Sequence, residues 1–288
     1  MSEPEKRIAL LIDADNAPAS KIDEILVEVA AFGVANVRRA YGDWKNPRLK
    51  GWEHVLHEFA IRPIQQFAYS KGKNASDMAM VVDAMDLLYA RNLDGFAIVS
   101  SDADFTPLVM RLLTDGVKVY GFGEQKTPVA FVNACSKFIY LEALGNDRSE
   151  PHEPSAEPVA AVPVPAAANA GEGAPNAVPP EAAPITPRSS GELRGDTRLI
   201  NLLRGAVEAA ADEQGWAMLS AVGNQIANRA SFDSRNYGYR KLSDLMKATG
   251  LFEVKKDGKS SAVRAAPRKA SKVSKASKTS TKRAEAKP

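Results

Sequence analysis

Aspartates stand where three segments of this 288-residue chain change character. Asp13 closes the apolar run Ile8–Ile12. Asp102 and Asp104 follow a second apolar run, Phe96–Val99, in the string Ser100-Ser-Asp-Ala-Asp-Phe105. Asp77 opens a helical stretch between them. In an open α/β sheet, side chains just past the carboxyl ends of parallel strands share one crevice. Three or four carboxylates in one crevice repel each other unless a divalent cation neutralises them. The spacing therefore points to metal-dependent chemistry on phosphate esters.

Each aspartate also has a plainer reading. Asp13 is a candidate helix cap, but Asp15 and Asn16 are better placed for that task. Asp104 sits where a cap belongs, before the Phe105 helix. Asp77 suits the first turn of a helix, where a carboxylate meets the helix dipole. Asp83 lies about 240° around an ideal helix from Asp77 and is a weaker, supporting candidate. Ser100 and Ser101 can orient a carboxylate or donate to an anion. Lys71 and Lys73 flank the site on a polar loop and suit a phosphodiester.

These residues need elements to position them. The first 145 residues alternate short apolar runs with amphipathic stretches. That alternation predicts strands at Ile8–Ile12, Val34–Tyr41, Ile61–Phe67, Gly95–Val99 and Val117–Phe122, with a possible edge strand at Phe138–Leu141. Helices are expected between them, including Trp52–Phe59, Asp77–Tyr89, Phe105–Leu113 and Thr127–Cys135. The pattern implies βαβ crossovers and a Rossmann-like parallel sheet with flanking helices.

Residues 146–190 read as a disordered Pro/Ala-rich linker, because segment 151–187 holds ten of the chain's 18 prolines and could not bury a core. A second unit, 191–265, follows. Three helical patterns and a hairpin with a Lys-Lys-Asp-Gly-Lys turn suggest a small winged helix. Residues 266–288 form a basic low-complexity tail.

The net charge of +3 hides an asymmetry. Residues 1–148 hold 17 basic and 20 acidic residues, whereas 264–288 hold nine basic residues and one glutamate. The tail suits a polyanion through counterion release. Cys135 is the sole cysteine, which excludes an intramolecular disulfide and a Cys-rich zinc site. No apolar run is long enough for a membrane span, and the N-terminus lacks the apolar core of a signal peptide. A cytoplasmic protein without a membrane partner is expected; the oligomeric state stays open. His54 and His57 complete no metal motif, and Gly121-Phe-Gly123 is only a fragment of a dinucleotide fingerprint.

The blocks Leu-Ile-Asp13-Ala-Asp-Asn16, then Lys73 with Asp77 and Asp83, then Val-Ser-Ser-Asp102-Ala-Asp104-Phe resemble the NYN domain of the PIN-like nuclease superfamily. The resemblance covers about residues 6–144. It implies a Rossmann-like (PIN-like) fold and cleavage of RNA dependent on Mg²⁺ or Mn²⁺, leaving a 5′-phosphate. Metal-ligand roles carry over to Asp13, Asp77, Asp102 and Asp104. Asn16, Lys73 and Ser101 are the expected contacts to the RNA backbone. PIN domains often have a further acidic residue on an intervening helix; Glu53 and Glu58 lie in that region without aligning to it. Downstream, Leu219–Gly223, Phe232–Leu242 and Gly250-Leu-Phe252 resemble the OST-HTH/LOTUS domain, which implies RNA binding.

Two rivals stand beside the ribonuclease. One is an RNA-binding adaptor with a catalytically degenerate NYN domain. The other is a haloacid-dehalogenase-like phosphatase, in which Asp13-Ala-Asp15 would be the paired aspartates, but the expected Thr or Val two residues after Asp15 and a motif lysine are missing.

Overall fold

β1 (Arg7–Asp13) is the hub of the molecule. Ile8 through Ile12 are fully buried on both faces, as expected for a central strand of a parallel sheet. The computed structural model describes residues 5–67, 75–90, 92–145, 185–257 and 260–266. In it β1 pairs in parallel with β2 (Val34–Gly42) on one side and β4 (Gly95–Val99) on the other. β3 (Arg62–Gln65) flanks β2, while β5 (Lys118–Gly123) and the edge strand β6 (Lys137–Tyr140) extend beyond β4. The order is β3-β2-β1-β4-β5-β6. The chain winds outward from β1 in both directions, so a crevice opens at the carboxyl ends of β1 and β4.

Side-chain alternation on β1 divides the core. Ile8, Leu10 and Ile12 pack with Ile22, Ile25 and Val29 of α1 (Ile22–Ala30) and with Trp52 of α2 (Trp52–Glu58). Ala9 and Leu11 face the other layer. There they meet Met80, Ala84 and Leu88 of α3 (Ala75–Tyr89), three leucine and valine side chains of α4 (Thr106–Thr114), and Phe131 of α5 (Val129–Ala134). The parity of β1 thus directs Asp13, two residues after Leu11, to the α3 and α4 side.

The second unit has its own core, built from α6 (Ser190–Gly195), α7 (Thr197–Ala210), α8 (Leu219–Ala227) and α9 (Leu242–Thr249). A three-stranded sheet, ordered β7-β9-β8, completes it. Its strands are β7 (Ala217–Met218), β8 (Phe252–Asp257) and β9 (Ser260–Ala265). The three helices and the hairpin are where the sequence pattern put them. α6 and β7 are additional. α6 opens on a reciprocal capping box between Ser189 and Glu192. Most of the expected linker and nearly all of the basic tail lie outside the described residues. No helix among the described residues is long and apolar enough to cross a membrane.

Candidate active site at the β1–β4 switch

Asp13 is 1% exposed, although it ends a strand. The ladder runs one step past it, through the Ala14 amide to the Tyr41 carbonyl (2.9 Å), and this keeps the carboxylate under the rim. One oxygen, Oδ2, accepts from Asn16 Nδ2 (2.9 Å) and from Ser100 Oγ (2.8 Å). The other, Oδ1, is buried and accepts no hydrogen bond from the described residues. Burial raises the Asp13 pKa, the Asn16 and Ser100 bonds pull it back, and Asp15 raises it further. A buried carboxylate oxygen without a donor is costly, and a bound cation is one group that would satisfy it.

Ser100 reaches Asp13 by the same parity. It follows Phe96 and Ile98 on β4, which face the α3 and α4 layer. Its amide continues the β4–β5 ladder to Phe122 O at 2.9 Å. Gly123 makes that approach possible: a Cβ there would sit 2.6 Å from Ser100 O and 2.8 Å from Thr127 Oγ1. In sequence Gly123 is only half of a weak glycine motif; its role emerges once β5 lies against β4. Ser101 points to the other face, where its Oγ accepts the Glu124 amide at 2.9 Å. It ties the turn after β5 to the end of β4.

The capping assignments differ from expectation. Asp102, not Asp104, is the cap: its Oδ1 accepts the Asp104 amide at 2.9 Å. The turn begins at Ala103, so Asp102 is the last extended residue (φ −87°, ψ 127°), which is the conformation a cap requires. The Asp102 amide in turn donates to Ser100 Oγ (3.1 Å). Asp104 is exposed on the rim. Asp15 and Asn16 cap no helix either. A 3₁₀ turn after Pro18 leads directly into α1 without a side-chain cap. Asp15 instead accepts from Ser76 Oγ (2.9 Å), and Asn16 holds Asp13.

Asp77 lies half-buried in the first turn of α3. Its pKa is raised to about 6, first by burial, then by the charges of Asp13, Asp102, Asp15 and Asp104. Five carboxylates from three segments therefore share one field. Asp83, two turns along α3, is engaged elsewhere: it pairs with Arg39 and accepts from the Tyr41 hydroxyl on β2. It anchors α3 to the sheet. Lys71 and Lys73 lie outside the described residues. His54 and His57 are exposed on α2.

The donor set fits a hard divalent cation: oxygen ligands, excess negative charge and an orphaned buried oxygen. The coordination shell is not assembled in advance. Among the described residues, no three His, Cys, Asp or Glu side chains are gathered closely enough to hold a metal ion.

The second unit offers the opposite chemistry. Trp216 has two cations against its ring, Lys255 Nζ at 4.3 Å and the Arg264 guanidinium at 4.6 Å. Arg264 is also held by Glu253 (2.7 Å). An aromatic face with flanking cations on a β-hairpin suits a nucleic-acid backbone and base.

Comparison with known proteins agrees with this division. An uncharacterized protein of Methanocaldococcus jannaschii is 28% identical over 131 residues, which is 42% of this chain and 49% of that protein. The chain thus spans about half the length of this curated relative. A crystal structure of a protein of unknown function from Vibrio parahaemolyticus matches 49% of this chain and 95% of its own, at 19% identity and a TM-score of 0.41. A solution NMR structure of an uncharacterized protein from Nitrosomonas europaea matches 34% of this chain and 92% of its own, at 32% identity and a TM-score of 0.24. Residues 7–142 match the NYN domain family and residues 194–263 match the OST-HTH/LOTUS domain family. The chain carries an NYN domain followed by an OST-HTH/LOTUS domain.

Proposed function

We propose that the crevice at β1 and β4 is the catalytic centre of a divalent-metal-dependent ribonuclease that hydrolyses RNA phosphodiester bonds. One observation carries the reading: buried Asp13 keeps an oxygen without a donor among the described residues, beside Asp15 and among the carboxylates whose charges act on Asp77. Asp13, Asp77, Asp102 and Asp104 would hold Mg²⁺ or Mn²⁺. Such a cation, when bound, supplies Lewis acidity toward water and the scissile phosphate. Asn16 and Ser100 fix the orientation of Asp13 by occupying its other oxygen. Ser101 holds the rim and keeps a hydroxyl proton for a phosphate oxygen. Lys73, two residues ahead of α3 in sequence, serves the RNA backbone. Asp77 keeps its proton below about pH 6 and gives it up above, so cation affinity and activity rise together through that range. The winged unit recruits RNA through Trp216, Lys255 and Arg264, with the tail adding polyanion affinity. The reading places the protein in the cytoplasm, with RNA as its partner.

A second reading, the RNA-binding adaptor, is favoured by one observation: no three ligands are gathered among the described residues. A ribonuclease assay with and without Mn²⁺ separates the two. Asp13→Asn and Asp102→Asn abolish metal-dependent cleavage if the first reading holds. Wild-type cleavage by both variants removes the proposed site. RNA binding by the wild type without cleavage across several substrates selects the adaptor.

A further inference from the structure

The Asp233–Gly238 segment belongs to the block by which the second unit resembles an RNA-binding domain, yet it faces the first unit. Asn236 is buried against the free edge of the six-stranded sheet. Its Oδ1 accepts the Tyr140 amide (3.1 Å), and its Nδ2 donates to the Phe138 carbonyl (2.9 Å). These are the outward backbone groups of two alternate residues on β6, the pair that a further strand would engage. One side chain thus closes the sheet's open edge as a neighbouring strand would.

Charge complementarity surrounds that contact. Arg235 makes a two-pronged pair with Glu28 of α1, one prong at 2.8 Å. It also binds Asp233 of its own turn (3.1 Å). Lys137 of β6 pairs with Asp233 at 2.9 Å and lies over the Phe32 ring. Every charge in this network has an opposite partner, two of the pairs cross between the units, and Asp233 is 7% exposed. Paired, part-buried charges with fork geometry hold orientation as well as proximity. The turn is shaped for the task. Gly238 adopts φ +82°, and a Cβ there would sit 2.5 Å from Pro187. The segment entering the second unit is fastened to the same junction. The Arg188 amide donates to Tyr237 O (3.2 Å), the Tyr239 hydroxyl donates to Arg188 O (2.6 Å), and the Ile185 amide donates to Glu142 O (3.2 Å).

We propose that residues 233–238 are an interdomain clamp that locks the OST-HTH/LOTUS unit in cis onto the β6 edge of the NYN unit. The second unit is then held at one place on the first, in fixed geometry. Where the nuclease reading of the previous section holds, RNA on the Trp216 face sits at a set distance from the carboxylate crevice, and the clamp acts as a ruler on where cleavage falls.

Amide hydrogen exchange at Tyr140 in the full chain tests the clamp, because its outward partner is Asn236. Two variants are compared with wild type: Asn236→Ala, and Glu28→Lys, which leaves the second unit's sequence intact. Both should speed Tyr140 exchange by at least about tenfold, while amides in the centre of β1 stay protected. Glu28→Lys should also deprotect residues 233–237. Unprotected Tyr140 in wild type, or protection that neither variant changes, overturns the clamp. Protection lost on dilution, with a dimer in sedimentation, overturns the cis arrangement. Neither RNA nor metal enters the measurement, so the clamp and the nuclease reading stand or fall separately.

Discussion

Asp13 and Asp233 are both buried aspartates, yet their carboxyl groups are driven in opposite directions. For both, burial disfavours the charged form. At Asp233 the Arg235 hydrogen bonds and the Lys137 charge reverse the effect and hold the pKa below its usual value. At Asp13 the partners are a neutral amide and a hydroxyl, and the charge that acts on it, Asp15, is another carboxylate. One aspartate is completed by the fold and the other is left incomplete. A completed charge fastens structure; an incomplete one has capacity for a ligand.

The largest test of this contrast is Asp13→Asn. Under the ribonuclease reading, metal-dependent cleavage falls by at least about a hundredfold, while the metal-free protein unfolds no earlier than wild type. A fall in stability without loss of cleavage would move Asp13 into the structural class beside Asp233.

The mirror experiment is Asp233→Ala. It leaves Arg235 and Lys137 without their shared carboxylate in a part-buried junction. Breaking one side of such a network costs about 3 kcal/mol, read as a lower midpoint in urea. The Asp233 contribution is present above the ordinary aspartate pKa and is lost as pH falls through its lowered folded value.

Asp77 tests the sign from the other direction. Its folded pKa of about 6 lies above the ordinary 3.8. Between those values the folded state holds a proton that the unfolded chain releases, so stability falls as pH rises across that window. Asp77→Asn removes the penalty. Its thermal midpoint should exceed that of metal-free wild type by a few degrees at pH 7.5, on the order of the shift from a modest stabilisation. The gain should vanish near pH 4 and shrink when Mn²⁺ is added to both proteins. An equal gain at all pH values would detach Asp77 from the acidic field.

The smallest expected effect comes from Arg111→Ala. Arg111 and Asp115 lie 2.8 Å apart, as close as Lys137 and Asp233 at 2.9 Å, but on the open surface of α4. Water screens an exposed pair, so the urea midpoint should not move within error. A clear drop would show that separation, rather than burial, sets the strength of these pairs.

Much of the first unit is legible in the chain. Five apolar runs bounded by polar turns are five of the six strands, and Asp13 and Asp102 close two of them at one crevice. Parity brings Asp13 and Ser100 together: two residues past Leu11 and Ile98, they face the same layer. The details of the rim are less legible. Whether Asp102 or Asp104 caps the turn depends on which residue is last to stay extended, and adjacent aspartates look alike until the ladder to β5 is in place. Gly123 reads as a weak motif fragment until Ser100 lies against it.

The clamp lies further from reach. Asn236 and Tyr140 are 96 residues apart, and no periodicity links an asparagine in one unit to a backbone amide at the edge of another. Local order is written in neighbouring residues: apolar runs, turn signals and the placing of aspartates at strand ends determine the elements, their parity and the acidic character of the crevice. Only tertiary structure decided which carboxylates are completed by partners and which are left open. Burial and pairing belong to the space between segments, and that space exists only once β1 has gathered its neighbours and the second unit has met the edge of the sheet.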